Sequence, residues 1–121
     1  MQYLLLIYGD EAYWEGLSKE ESEAIFDEYR TFTESIAAQG IYQGGAPLTP
    51  VSTARTVRVR EGRATVSDGP FAETREQLGG YYLVDVETEQ EALDAAARIP
   101  NARFGSVEVR PVSQIMAAPA Q

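Results

Sequence analysis

Residues 2–8, QYLLLIY, are apolar on both alternating faces: Tyr3, Leu5 and Ile7 on one, Leu4, Leu6 and Tyr8 on the other. A strand with one wet face alternates apolar with polar residues, so this run predicts a strand covered on both sides. Ser18 with Glu21 three positions later is a capping box, and it predicts the start of a helix. Ile25, Tyr29, Phe32 and Ile36 give that helix one apolar stripe, and Gly40 stops it. IYQGG (41–45) reads as a short strand and APLTP (46–50) as an irregular loop. Residues 53–60 and 63–67 alternate and are β-branched around Glu61-Gly62, which predicts a hairpin. A strand over 80–86 follows. Thr88 with Glu91 opens a second helix, which Pro100 ends, and GSVEVRPV (105–112) is the last strand.

The order β-α-β-(hairpin)-β-α-β predicts an α+β fold of ferredoxin-like plan, with both helices on one face of a mostly antiparallel sheet. One domain spans 1–113, and 114–121 is expected to be a flexible C-terminal tail. Helices on one face leave the other side of the first strand bare although it is apolar. A second copy packing sheet on sheet resolves this, so a homodimer is expected, with an interface of roughly 1,600 Å². Arg58, Arg60, Asp85, Glu108 and Arg110 then fall in or around the space between the sheets. They read either as solvated sheet edges or as a polar cleft.

Composition narrows the chemistry. The 121 residues carry a net charge of −9, with no cysteine and no histidine. Disulfides, thiolate catalysis, a His-based zinc site, a Ser-His-Asp triad and a histidine base are excluded. Four arginines (Arg55, Arg58, Arg60, Arg63) on an acidic chain are a poor footprint for direct nucleic-acid binding, but guanidinium forks suit one small carboxylate or phosphate. No run suggests a membrane span or a signal peptide, so a cytoplasmic location is expected. No cofactor motif is present: the double glycine precedes a strand instead of opening a helix. Glu20, Glu21, Glu23, Asp27 and Glu28 offer oxygen ligands, but an acidic first helical turn reads more simply as a solvated face, and no metal site is expected. The pair Tyr13-Trp14 sits in a loop after the first strand, capping a pocket or closing the core.

The stretch SDGPFAETREQLGGYYLVDV (67–86) is the unusual one. Pro70 stiffens it, Phe71 offers an apolar anchor to the core, and Gly79-Gly80 permit close approach of backbone or ligand. Between them Glu73, Arg75 and Glu76 fall on one or two helical turns. Asp68, Glu73 and Glu76 are the candidate acid–base groups. Arg58, Arg75 and Arg110, with Tyr29, Gly79 and Gly80, are the candidate ligand-binding residues. A plain solvated turn accounts for the same spacing.

DGPFAETREQLGGYYLVDV, together with EALDAAARIP and GSVEVRP, resembles the YCII-related superfamily, in its DGPF-domain branch. The resemblance runs from MQYLLLIYGDE through VEVRPV. It implies a dimeric α+β barrel of ferredoxin-like subunits and a biochemical activity that is mostly undefined. It also implies a setting beside extracytoplasmic-function sigma factors, hence a protein partner in a regulatory system. Some relatives of the wider superfamily are cofactor-free lyases or isomerases with a suspected histidine–acid pair. Here the histidine slot falls near Tyr29, a poor base at neutral pH. Two functions follow as expectations: a dimeric module binding a small anionic or aromatic molecule or a protein partner, or a cofactor-independent isomerase, lyase or oxygenase using carboxylates in the inter-sheet cleft.

Overall fold

A computed structural model of the protein describes residues 1–114. The chain runs β1 (Gln2–Gly9), α1 (Glu11–Glu15), α2 (Lys19–Ala38), β2 (Tyr42–Pro47), β3 (Arg55–Arg60), β4 (Arg63–Asp68), β5 (Gln77–Asp85), α3 (Glu89–Arg98) and β6 (Ser106–Pro111). Among these, β2-β5-β1-β6 form one sheet and β3-β4 a separate hairpin. Every neighbouring pair is antiparallel. The fold is therefore α+β, as the hydrophobic pattern predicts.

Strand β1 lies in the middle of the larger sheet and alternates without fault between the two faces. Tyr3, Leu5 and Ile7 are buried, while Leu4, Leu6 and Tyr8 are half-buried. Tyr3, Leu5 and Ile7 join Tyr82 and Val84 of β5, Phe32 and Ile36 of α2, and Ala92, Ala95 and Ala96 of α3 in one core. Both long helices thus sit on the same side. On the opposite side Leu4 stands between Leu83 and Arg110, and Leu6 between Tyr81 and Glu108. That face is an apolar stripe with charged groups along one edge.

The helix starts follow the caps. Glu21 N–H donates to Ser18 Oγ at 3.0 Å and Ser18 N–H to Glu21 Oε1 at 2.9 Å. This arrangement holds the Glu21 carboxyl below its usual range, through the Ser18 backbone bond first and its hydroxyl second. Thr88 caps α3 through Glu91 N–H at 3.3 Å, but the Thr88 hydroxyl, not its N–H, meets the Glu91 carboxylate. The second box is therefore half-formed.

Four expectations need correction. Residues 11–15, expected as loop, form α1, capped by Asp10 accepting from Ala12 N–H at 2.9 Å. The segment 46–50 is strand as far as Pro47, and residues 51–53 make a 3-10 turn ahead of β3. Among the described residues Phe71 anchors nothing, being 79% exposed. Residues 73–76 hold bends and no helical turn. Gly69, just ahead of Pro70, takes a φ of 88°, a left-handed geometry that only glycine adopts without strain. The expected tail, apart from Gln114, lies outside the described residues.

Candidate functional site

A cavity of about 550 Å³ opens between α2 and the sheet. Its helical wall is Ser22, Ile25, Phe26, Tyr29 and Thr33, spaced three, one, three and four residues apart. Such spacing lines up one face of a helix. Its floor includes Gly9, Gly45, Gly79 and Gly80, from three adjacent strands. Without side chains at those positions the sheet leaves room that larger residues would fill. Trp14 of α1 and Tyr42 of β2 also line the cavity. The volume is in the range of small-molecule sites, roughly 300–1,000 Å³.

Polar groups near the opening fix its shape. Gln77 starts β5, and its Oε1 accepts from Glu11 N–H at 3.0 Å while its Nε2 donates to Thr74 O at 2.7 Å. Glu11 Oε2 in turn accepts from Val51 N–H at 2.9 Å. One glutamine and one glutamate thereby tie α1, the loop before β3 and the start of β5 together. Thr33 hydroxyl donates to Tyr29 O at 2.9 Å and shares a 2.7 Å bond with Tyr82 OH. At the inner end Asn101, 2% exposed, donates from Nδ2 to Tyr8 O at 2.7 Å. Its Oδ1 is buried without a hydrogen-bond partner among the described residues. A buried acceptor left open costs about 1–3 kcal/mol unless something fills it.

Tyr29 is the titratable group most changed by this environment. Burial pushes its phenol up to about 12, and the Asn101 backbone N–H only partly opposes the shift. At neutral pH Tyr29 therefore keeps its proton and is a poor base. Tyr82 is raised too, again chiefly by burial. A folded pKa above the unfolded value near 10 gives stability that is fully present below pH 10 and lost as pH rises towards 12. For Tyr29 the loss is on the order of 2 kcal/mol. Melting curves from pH 8 to 12 should show that decline, and Tyr29→Phe should flatten it while Tyr82 keeps a smaller slope. An equally steep decline in Tyr29→Phe would remove Tyr29 as the cause.

The residues singled out in the sequence are not gathered in one place. Tyr29, Gly79 and Gly80 line the cavity. Asp68 ends β4 on the detached hairpin, its side chain 90% exposed and paired with Arg55 Nε at 3.2 Å. Glu73 and Arg75 lie in the exposed loop after it. Glu76 Oε1 accepts from Ser106 hydroxyl at 2.9 Å, which fastens the end of that loop to β6. Arg58 is exposed on β3, and Arg110 lies on the uncovered sheet face, 3.9 Å from Glu108. None of these six lines the cavity. The acidic residues of α2 have other work: Asp27 pairs with Arg30 at 3.1 Å, and Glu28 receives both terminal nitrogens of Arg103 at 3.0 and 2.6 Å. That pairing holds the Glu28 carboxyl below its usual range and raises Arg103, the side-chain bond being the main cause in each.

Asn101, Gln77 and Glu11 were not marked by sequence reasoning. IPNAR reads as a helix stop because of Pro100, and nothing local says that the next side chain is buried. Gln77 sits inside the EQLGG run, where charged neighbours draw attention away from it. Tyr13, Trp14 and Phe104 pack together, with Tyr13 stacked on Phe104 at 5.2 Å. Trp14 also borders the cavity, while Tyr13 and Phe104, 43% and 40% exposed, form a surface cluster with Trp14 instead of closing the core.

The described residues contain no helix long and apolar enough to cross a membrane. The family model for the YCII-related domain matches residues 1–116. An uncharacterised protein of Rhizobium meliloti (strain 1021) is 41% identical over 115 residues, covering 93% of each chain. A match across nearly the whole chain places this protein in the YCII-related domain family.

Proposed function

We propose that the protein is a dimeric small-molecule-binding module whose ligand occupies the cavity between α2 and the sheet. The observation that carries this reading is a largely apolar space of about 550 Å³ with a few polar residues, Asn101 and Tyr29 among them, in its lining. A few polar groups in an apolar cleft are what fix a ligand's orientation. The Tyr29 phenol, which keeps its proton at neutral pH, is suited to donate to a ligand. The double glycine then acts by keeping the cavity floor free of side chains.

The dimer in this reading is a barrel of two ferredoxin-like subunits, sheet on sheet, through Leu4, Leu6, Tyr8, Tyr81 and Leu83. Support comes from the apolar stripe itself, which no element of the described chain covers. Support also comes from the hairpin, where Val57, Val59 and Val66 are each about 60% exposed or more and suit an arm that embraces a second copy. The DGPF loop joins that hairpin to β5. Its carboxylates Asp68, Glu73 and Glu76, and Arg58, Arg75 and Arg110, then belong to the rim between copies. A sigma-factor-linked partner, which the resemblance implies, would read ligand occupancy through this rim. Binding is favoured over turnover because the candidate carboxylates are outside the cavity and its phenol holds its proton at neutral pH.

The test uses the chain's single tryptophan, Trp14, as reporter. Titration with 3-phenylpropanol should quench its fluorescence, and Ser22→Phe, which adds a ring to the helical wall, should weaken binding at least about tenfold, the scale of ~1.4 kcal/mol. Equal binding by parent and Ser22→Phe would place the ligand elsewhere.

A further inference from the structure

The walls of this cavity carry charge of one sign only. Glu11 and Glu15 line it, and neither lysine nor arginine does. The chain as a whole holds 19 acidic against 10 basic residues. Glu11 commits one oxygen to Val51 N–H, while Glu15 is exposed at the end of α1. Trp14, Phe26, Tyr29 and Tyr42 line the same cavity. Aromatic faces attract a cation through their quadrupole, and more strongly where water is excluded. A carboxylate ligand, by contrast, would meet two like charges with no guanidinium to receive it, since Arg58, Arg75 and Arg110 lie outside the cavity.

We infer that the cavity selects lipophilic cations, aromatic or aliphatic amines with an apolar body, over neutral molecules and over carboxylates of the same shape. The inference rests on the cavity's being the binding site. It replaces the anionic ligand expected from the arginines. The apolar body lies along Ile25 and Phe26, and the ammonium faces Glu15 at the opening, where it keeps part of its hydration. Long-range attraction by the negative surface adds to capture and weakens with salt.

A matched series separates this inference from the reading beneath it. 3-Phenylpropylammonium, 3-phenylpropanol and 3-phenylpropionate share one ring and chain and differ in charge. Each is titrated by Trp14 fluorescence and by calorimetry at pH 7 into the parent and into Glu15→Gln, whose melting point is checked first. The expected order is ammonium tightest and propionate weakest, with a gap of at least about tenfold from opposite signs of charge near a carboxylate. Glu15→Gln should shrink the ammonium-to-alcohol ratio. Propionate binding as tightly as ammonium, or a ratio unmoved by Glu15→Gln, overturns the charge selection while leaving the cavity as a site. Failure of all three probes to bind overturns both.

Discussion

Gly105→Ala is expected to lower stability by about 3 kcal/mol, the upper range for forcing extra atoms into packed structure. A Cβ at Gly105 would press into Tyr8 O, and would sit 3.0 Å from Gly9 Cα and 3.1 Å from Asn101 Nδ2. The first two are backbone atoms of the central strand, so relief requires β6 to part from β1 where Tyr8 pairs with Ser106. The third is the amide that bonds Tyr8 O. Moving it would also shift Asn101 Oδ1, so the substitution should weaken ligand binding together with the fold. In a domain of this size the melting point should fall by roughly 10 °C. Ser106→Ala next door is the control. It loses only the exposed bond to Glu76, about 1 kcal/mol or less. If Gly105→Ala melts like its control, the close approach of β6 to β1 is wrong.

Leu4→Glu is expected to leave a folded monomer. Leu4 lies on the uncovered sheet face, directly across from Leu83 and Arg110. Within one chain the new carboxylate gains Arg110 as a cross-strand partner, a contribution of about 0.2–1 kcal/mol. In a sheet-to-sheet dimer two such carboxylates are buried, one from each copy, at several kcal/mol apiece. The dimer should weaken by about a thousandfold or more, the scale of 4 kcal/mol. Sedimentation across a range of concentrations reads the change, and thermal melting confirms that the subunit still folds. A variant that sediments as the parent does would mean that Leu4 is not in the interface.

Much of the fold was legible because its signals are local. The capping box at Ser18 and Glu21 and the period-two pattern of β1 each depend on residues close together in sequence. The short helix α1 was missed because a five-residue segment with one cap shows almost no periodicity. The double glycine was noticed, yet its use is visible only when β1 and β2 bring Gly9 and Gly45 beside it. Asp68 and Arg58 drew attention as charges in an unusual motif, but charge in a sequence does not tell a rim from a cavity. Asn101 was silent for the opposite reason. Its importance lies in a bond to Tyr8, 93 positions away, and in an oxygen left without one.

The most direct test of the account is to map where a small neutral ligand sits. Amide and side-chain NMR spectra of the labelled protein, titrated with 3-phenylpropanol, report every position at once. The account predicts shifts at Gly45, Gly79 and Gly80, at the Trp14 indole N–H and at the Asn101 side-chain amide. Gly69 and Arg58 should stay still. Shifts confined to the DGPF loop and hairpin, with the Asn101 amide unmoved, would contradict it.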